Sequence, residues 1–193
     1  MTARYDAIVL AGGRSSRLCG GDKTAVRIGG AAILDRVLTA LAGAATTLVV
    51  GPPREVSRAV TWVREDPPYA GPAYAVAAAL PLVTRATVVV VAGDLPFLTP
   101  PAVDALVDAL ARGQADGALA HDDRGEPQLL CGAWRAGALR RAVAEVAVVP
   151  GTSMRALLAP LSAEPVVLPA AGAPAWFDCD TAEDLARARS WAE

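Results

Sequence analysis

Lysine is almost missing from this chain: of 18 basic residues a single one, Lys23, is a lysine, and every other cation is an arginine. A coding bias toward Arg accounts for the general scarcity, but the survivor sits in an unusual place, a glycine-rich loop. The formal charge of −2 excludes a nucleic-acid binder that works through a broad basic surface, because such proteins neutralise many phosphates with Lys and Arg. Cysteine occurs three times, as Cys19, Cys131 and Cys179, with no CxxC pair. That spacing indicates neither a disulfide framework nor a zinc site and fits a reducing compartment. No apolar run reaches the roughly 18 to 20 residues that span a bilayer: the stretch 75–98 is broken by Arg85, Asp94 and prolines. With no charged-then-apolar leader at Met1, a soluble, cytoplasmic protein without membrane or nucleic-acid partners is expected.

What is present is a chain of 193 residues, 53% of them hydrophobic, enough for one domain, 1–193, with a substantial core. Its organising stretch lies near the start. Residues 5–10 form a short apolar, partly β-branched run that reads as a buried strand. The chain then breaks into a loop with Gly12, Gly13, Gly20 and Gly21, two serines, Arg14, Arg17 and Lys23. A loop both glycine-rich and cationic at the C-terminal end of a first strand suits a polyphosphate. Glycines let backbone N–H groups approach the oxygens, and Arg and Lys offset the charge.

Beyond the loop, strand and helix patterns alternate. Residues 25–28 are extended, Gly29-Gly30 turns, and Ile33, Leu34, Val37, Leu38 and Leu41 mark one face of a helix over 31–42. Strands are expected at 46–50 and 60–64, a small-residue helix at 73–82, and at 87–92 the most hydrophobic strand, covered on both faces. A helix over 101–112 follows, then strands at 115–120 and 128–134 around the turn Asp122-Asp123-Arg124-Gly125, and a helix over 135–146. Thr152 or Ser153 caps a short helix ending near 158. A last strand falls at 164–168, and Asp180 with Glu183 forms a capping box that opens a terminal helix. This order implies an α/β fold, a three-layer sandwich around a mostly parallel, Rossmann-like sheet.

Sites on such sheets lie at the carboxyl ends of the strands. The glycine loop, the Glu65-Asp66 loop and Gly93-Asp94 all fall there. Asp94, just past the central strand, can hold Mg²⁺ against phosphate oxygens, or simply cap the next helix. Asp66, in Asp-Pro-Pro, carries a turn signal. A dinucleotide-binding G-x-G-x-x-G is excluded by the spacing of Gly12-Gly13. A P-loop is disfavoured because Asp22 separates Gly21 from Lys23 and an extended piece follows Thr24 where a helix is required.

Leu10-Ala11-Gly12-Gly13-x-Ser15-x-Arg17-Leu18 followed by Gly21-x-Lys23 resembles the signature loop of nucleotidyltransferases that activate a phosphate or sugar phosphate with an NTP. Gly71-Pro72, Gly93-Asp94-Leu95-Pro96-Phe97, Pro127-Gln128 and Asp180-Thr181-Ala182-Glu183-Asp184-Leu185 extend the resemblance over nearly the whole chain. It is greatest to the molybdenum cofactor guanylyltransferases. The resemblance implies a nucleotide-diphospho-sugar transferase type of fold, with residues to about 100 binding nucleotide and 101–193 binding the acceptor. It also implies GMP transfer from GTP to the phosphate of molybdopterin with release of pyrophosphate. In that scheme Leu10, Ala11, Gly12 and Gly13 cradle the nucleotide, Arg17 and Lys23 balance the triphosphate, Asp94 holds Mg²⁺ and Asp66 contacts guanine or ribose.

Leu18 stands where the family has Met, and Tyr74 enters the Gly71-Pro72 segment. Asp178-Cys179-Asp180 resembles the related molybdopterin cytidylyltransferases and offers a second metal position. The bare Gly12 favours guanine over cytosine. Arg155 stands near the acceptor side, though a helix-terminal salt bridge serves it as well, and His121 reads as a turn residue. The resemblance further implies a monomer with transient contacts to other cofactor-biosynthesis proteins. The alternatives are a cytidylyltransferase or another NTP:phosphate or sugar-phosphate transferase, and a nucleotide-binding regulatory module that transfers nothing.

Overall fold

The computed structural model describes residues 5–13 and 23–192, with the backbone but not the side chain of Lys23. Strand β1 (Asp6–Leu10) lies at the centre of a seven-stranded sheet, with β4 (Thr47–Val50) on one side and β6 (Thr87–Ala92) on the other, both parallel to it. The short strand β5 (Thr61–Val63) extends the sheet beyond β4 in parallel. On the far side come β8 (Pro127–Arg135), β7 (Gly117–His121) and β9 (Ala163–Val167), giving the order β5-β4-β1-β6-β8-β7-β9. Within this sheet only β8, among the described strands, runs against the others, because the turn at Asp122–Gly125 folds it back on β7 as a hairpin. His121 belongs to that turn, its Nδ1 lying 2.8 Å from the Gly125 carbonyl oxygen. The sheet is the mostly parallel one expected, and the fold is α/β.

Alternation along the strands builds two cores. Ala7 and Val9 of β1, with Val89 and Val91 of β6, pack under α1 (Ile33–Ala40) and α3 (Pro100–Arg112). Ile8, Val88 and Val90 face the other way, onto α2 (Pro72–Ala79), α4 (Ala136–Glu145) and α5 (Met154–Leu158). The central strands β1 and β6 are therefore covered on both faces, which is why β6 carries four consecutive valines rather than a polar alternation. A third cluster, of Ile28, Ile33, Phe97, Phe177 and Leu185, docks the terminal helix α6 (Ala182–Trp191).

Most element ends shift by one to three residues from the sequence reading, and three departures have a local reason. Helix α1 starts at Ile33, two residues late, because Ala31–Ala32 form β3 and pair with β2 (Arg27–Ile28) across Gly29-Gly30, both at positive φ. A single 3₁₀ turn, Lys23–Ala25, precedes β2, so no P-loop helix follows Lys23. The cap of α6 is Thr181 rather than Asp180: the Thr181 hydroxyl accepts from Asp184 N at 3.1 Å, while Asp184 accepts from Thr181 N at 2.8 Å. That one-residue shift releases Asp180 from capping. Of the two candidates for α5, Ser153 supplies the cap, its hydroxyl accepting from Ala156 N at 3.1 Å. No helix among the described residues is long and apolar enough to cross a membrane.

Candidate active site

The carboxyl ends of β1, β4 and β6 meet in a tightly bonded floor. Ala11 N donates to the Val50 carbonyl at 2.8 Å and Gly93 N to the Leu10 carbonyl at 2.9 Å, so the chain leaving β1 is held from both sides. Two glycines permit this approach. A Cβ on Gly51, whose φ is 152°, would lie 2.9 Å from the Ala11 carbonyl carbon and oxygen, and one on Gly93 would lie 3.1 Å from the Leu10 oxygen. The Gly51 contact is closer than real side chains tolerate.

Arg54 ties the same floor to the far end of the glycine loop. Its guanidinium donates to the hydroxyl of Thr24, a buried residue, and to the Ala11 carbonyl at 3.3 Å, while lying 6.0 Å from the Trp62 ring centroid. One planar, five-donor group thereby spans the two points where the described chain enters and leaves the loop.

Above this floor opens a cavity of about 600 Å³. Leu10, Ala11, Gly12 and Gly13 line its base, and Thr24 one edge. Glu65 and Tyr69 enter from the end of β5, Gly71, Pro72 and Ala75 from the start of α2, and Gln128, Leu130 and Cys131 from β8. Asp94, Trp176, Asp178 and Asp180 complete the lining. The last three follow from an alternation: Ala175, Phe177 and Cys179 are buried, so the residues between them turn toward the cavity. Cys179 N anchors the segment by donating to the Asp94 carbonyl at 3.2 Å. Burial pushes the Cys131 thiol up to about 12, which leaves it neutral at ordinary pH and unsuited to nucleophilic chemistry.

The expected residues divide as follows. Leu10, Ala11, Gly12, Gly13 and Asp94 line one cavity together. Asp66 does not line it. Asp66 is exposed, its carbonyl accepting from Tyr74 Oη at 2.7 Å, and the carboxylate of that loop facing the cavity is its neighbour Glu65. Arg155 is exposed on α5 and away from the cavity. Arg17 and Cys19 lie outside the described residues, as does the side chain of Lys23. Sequence reasoning missed Glu65, Gly51 and Arg54. Gly51 and Arg54 act through contacts distant in sequence, while Glu65 was hidden by the turn signal that follows it.

A cavity at the carboxyl edge of an open, mostly parallel sheet, lined by Gly12 and Gly13, by apolar side chains and by carboxylates, is the site of a nucleotidyltransferase of the nucleotide-diphospho-sugar transferase fold. The family described as the MobA-like NTP transferase domain matches residues 7–188, and the chain belongs to it. A curated relative, the molybdenum cofactor guanylyltransferase of Shewanella frigidimarina, is 29% identical over 127 residues, 63% of this chain and 65% of that protein. The match thus spans just under two thirds of the relative's length. Among solved structures, molybdopterin-guanine dinucleotide biosynthesis protein A from Archaeoglobus fulgidus superposes with a TM-score of 0.70 at 21% identity, over 96% of this chain and 97% of that one. The 2-C-methyl-D-erythritol 4-phosphate cytidylyltransferase of Thermus thermophilus gives 0.69 at 20% identity, over 97% and 98%. These two likenesses show the fold.

Proposed function

We propose that the protein transfers GMP from GTP to the terminal phosphate of molybdopterin and releases pyrophosphate. The observation that carries this reading is the convergence of Gly12, Gly13 and Asp94 on one cavity large enough for a nucleotide. The name of the Shewanella frigidimarina relative supports the guanine nucleotide and the molybdenum cofactor.

The reaction joins two anions. A phosphate oxygen of the acceptor attacks the α-phosphorus in line, the new P–O bond forms, and the bond to the β-phosphate oxygen breaks as pyrophosphate leaves. The protein's work is positioning and charge neutralisation, and no side-chain nucleophile is required. Gly12 and Gly13 form the nucleotide cradle, and Arg17 and Lys23 offset the charge of the triphosphate and of the departing pyrophosphate. Residues to about 100 supply this half. Gln128, Leu130 and Trp176, from the second half, wall the acceptor side.

The described residues hold no cluster of three or more ligands able to cage a metal ion, and what they offer Mg²⁺ is single hard carboxylates lining one cavity, Asp94 among them. Mg²⁺ typically binds through one or two carboxylates together with phosphate oxygens and waters, so a dedicated all-protein cage is unnecessary. Asp94 would hold it, and the ion would supply screening of the phosphate oxygens. Cys131 and Cys179 are both buried, and a cytoplasmic setting belongs to this reading.

The cytidylyltransferase reading has one observation in its favour, the presence of both Asp178 and Asp180 at the cavity. Incubation with molybdopterin, Mg²⁺ and each NTP in turn, with pyrophosphate measured, separates the two. Turnover with GTP supports the proposal. Turnover with CTP alone replaces it, and no turnover with any NTP removes molybdopterin as the acceptor.

A further inference from the structure

Glu65 is 95% buried, since its relative exposure is 5%, and among the described residues no cationic side chain pairs with it. Its Oε1 accepts from Tyr69 N at 3.0 Å and would lie 3.7 Å from a Cβ on Gly12. Oε2 has no protein donor among the described residues. It is also not sealed from solvent, for the buried side-chain oxygen lacking a partner is Asp6 Oδ1, at the opposite edge of the sheet. Glu65 lines the cavity, so its second oxygen is presented to whatever fills that space.

A carboxylate oxygen on a buried side chain that opens only to the cavity demands an N–H or O–H donor from its ligand. A phosphate would be repelled. Asp94, Asp178 and Asp180 enter the cavity from the β6 side, where a metal-screened triphosphate belongs, whereas Glu65 enters from the β5 side. The base end of the nucleotide therefore meets Glu65. Guanine carries two adjacent donors on one edge, N1–H and the 2-amino group. Cytosine and adenine present a single exocyclic amine beside an acceptor nitrogen that faces a carboxylate unfavourably, and uracil presents one N–H between two carbonyls.

We propose that the Glu65 carboxylate is the group that selects guanine, by accepting from guanine N1–H and the 2-amino group. This rests on the nucleotidyltransferase reading of the cavity and deepens it by naming the residue that sets the base. Hydrogen bonds to a charged acceptor of this kind amount to about 10- to 100-fold in affinity.

The test measures binding of GTP, ITP, 1-methyl-GTP, CTP and base-free ribose 5-triphosphate by calorimetry, to the intact chain and to Glu65→Gln. Glutamine keeps an oxygen for Tyr69 N and so retains the loop, while losing the charge and the second acceptor. In the unaltered protein GTP is expected to bind about 10- to 100-fold more tightly than 1-methyl-GTP, with ITP between them. In Glu65→Gln that preference is expected to collapse through weaker GTP binding, with ribose 5-triphosphate unchanged. A Glu65→Gln protein that keeps the full GTP preference overturns the assignment while leaving the nucleotidyltransferase reading intact. An equal loss for ribose 5-triphosphate overturns it too, because the residue then only supports the loop. If the unaltered protein binds CTP in preference to GTP, both this assignment and the guanylyl reading fall.

Discussion

Replacing Arg54 by methionine removes the guanidinium that joins Ala11 to Thr24 but keeps an apolar stem of similar reach over Trp62. The hydrogen bonds to Thr24 and Ala11 are lost, along with two weak ones at 3.4 Å to the Pro52 carbonyl, which are left out of the sum. A hydrogen bond to a charged group contributes about 1.5–3 kcal/mol, and the partial exposure of Arg54 puts each toward the low end, so the sum is about 2–3 kcal/mol. In a chain of this size that corresponds to a fall in Tm of about 4–12 °C. The functional loss should exceed the stability loss, because the floor of the nucleotide cavity is released at both ends of the loop. A displacement of about 1 Å at a reacting centre costs on the order of 100-fold in rate. Thermal denaturation followed by circular dichroism reads the first effect, and kcat/KM for the NTP reads the second. Arg54→Lys, which keeps the charge but not the fork, should fall between methionine and the native residue. An Arg54→Met protein with native Tm and native kcat/KM would refute the reasoning.

Gly51→Ala should raise KM for the NTP by tenfold or more and lower Tm by several degrees. Its Cβ would stand 2.9 Å from the Ala11 carbonyl at a φ of 152°, and overpacking of this kind costs about 1–3 kcal/mol; unchanged kinetics would show that the floor yields freely. Asp94→Ala should cut turnover by at least about 100-fold with Tm nearly unchanged, and single-turnover rates across a Mg²⁺ titration check it. Stability should also fall in acid through two specific carboxyls. Hydrogen bonds from the Ser162 backbone and hydroxyl, aided by Arg141 and Arg135, hold Asp116 below the usual carboxylate range. Burial pulls Asp184 upward, but hydrogen bonds from the Thr181 hydroxyl and N–H outweigh it and leave that carboxyl lowered as well. A group with a depressed folded pKa stabilises fully above its unfolded value, about 3.9, and that stabilisation disappears as pH falls through the lower folded value. Tm scans should therefore be flat in these two contributions above about pH 5 and drop below about pH 4, with Asp116→Asn and Asp184→Asn each flattening the acid limb.

Local chemistry made most of the architecture legible. The valine run of β6 and the 3.6-residue stripe of α1 needed no tertiary information, since their burial is written in their periodicity. The cap of α6 is ambiguous in the sequence, because Asp180 with Glu183 and Thr181 with Asp184 both satisfy a capping-box pattern, and tertiary contact decides between them: Asp180 lines the cavity instead. Glu65 was passed over because Glu-Asp-Pro-Pro advertises an exposed turn, and only the folded path around Tyr69, at φ 63°, returns the carboxylate inward. Nothing local marks Gly51 or Arg54, whose contacts reach the end of β1 some 40 residues earlier. The alternation of Trp176, Asp178 and Asp180 with Ala175, Phe177 and Cys179 was available as a period-two signal in a segment that forms no strand.

The most direct test of the central claim follows the label from [α-³²P]GTP and, separately, from [α-³²P]CTP into molybdopterin in the presence of Mg²⁺. Label transferred from GTP into a molybdopterin dinucleotide, in step with pyrophosphate release, is the predicted result. Label entering the product from CTP and not from GTP would contradict it.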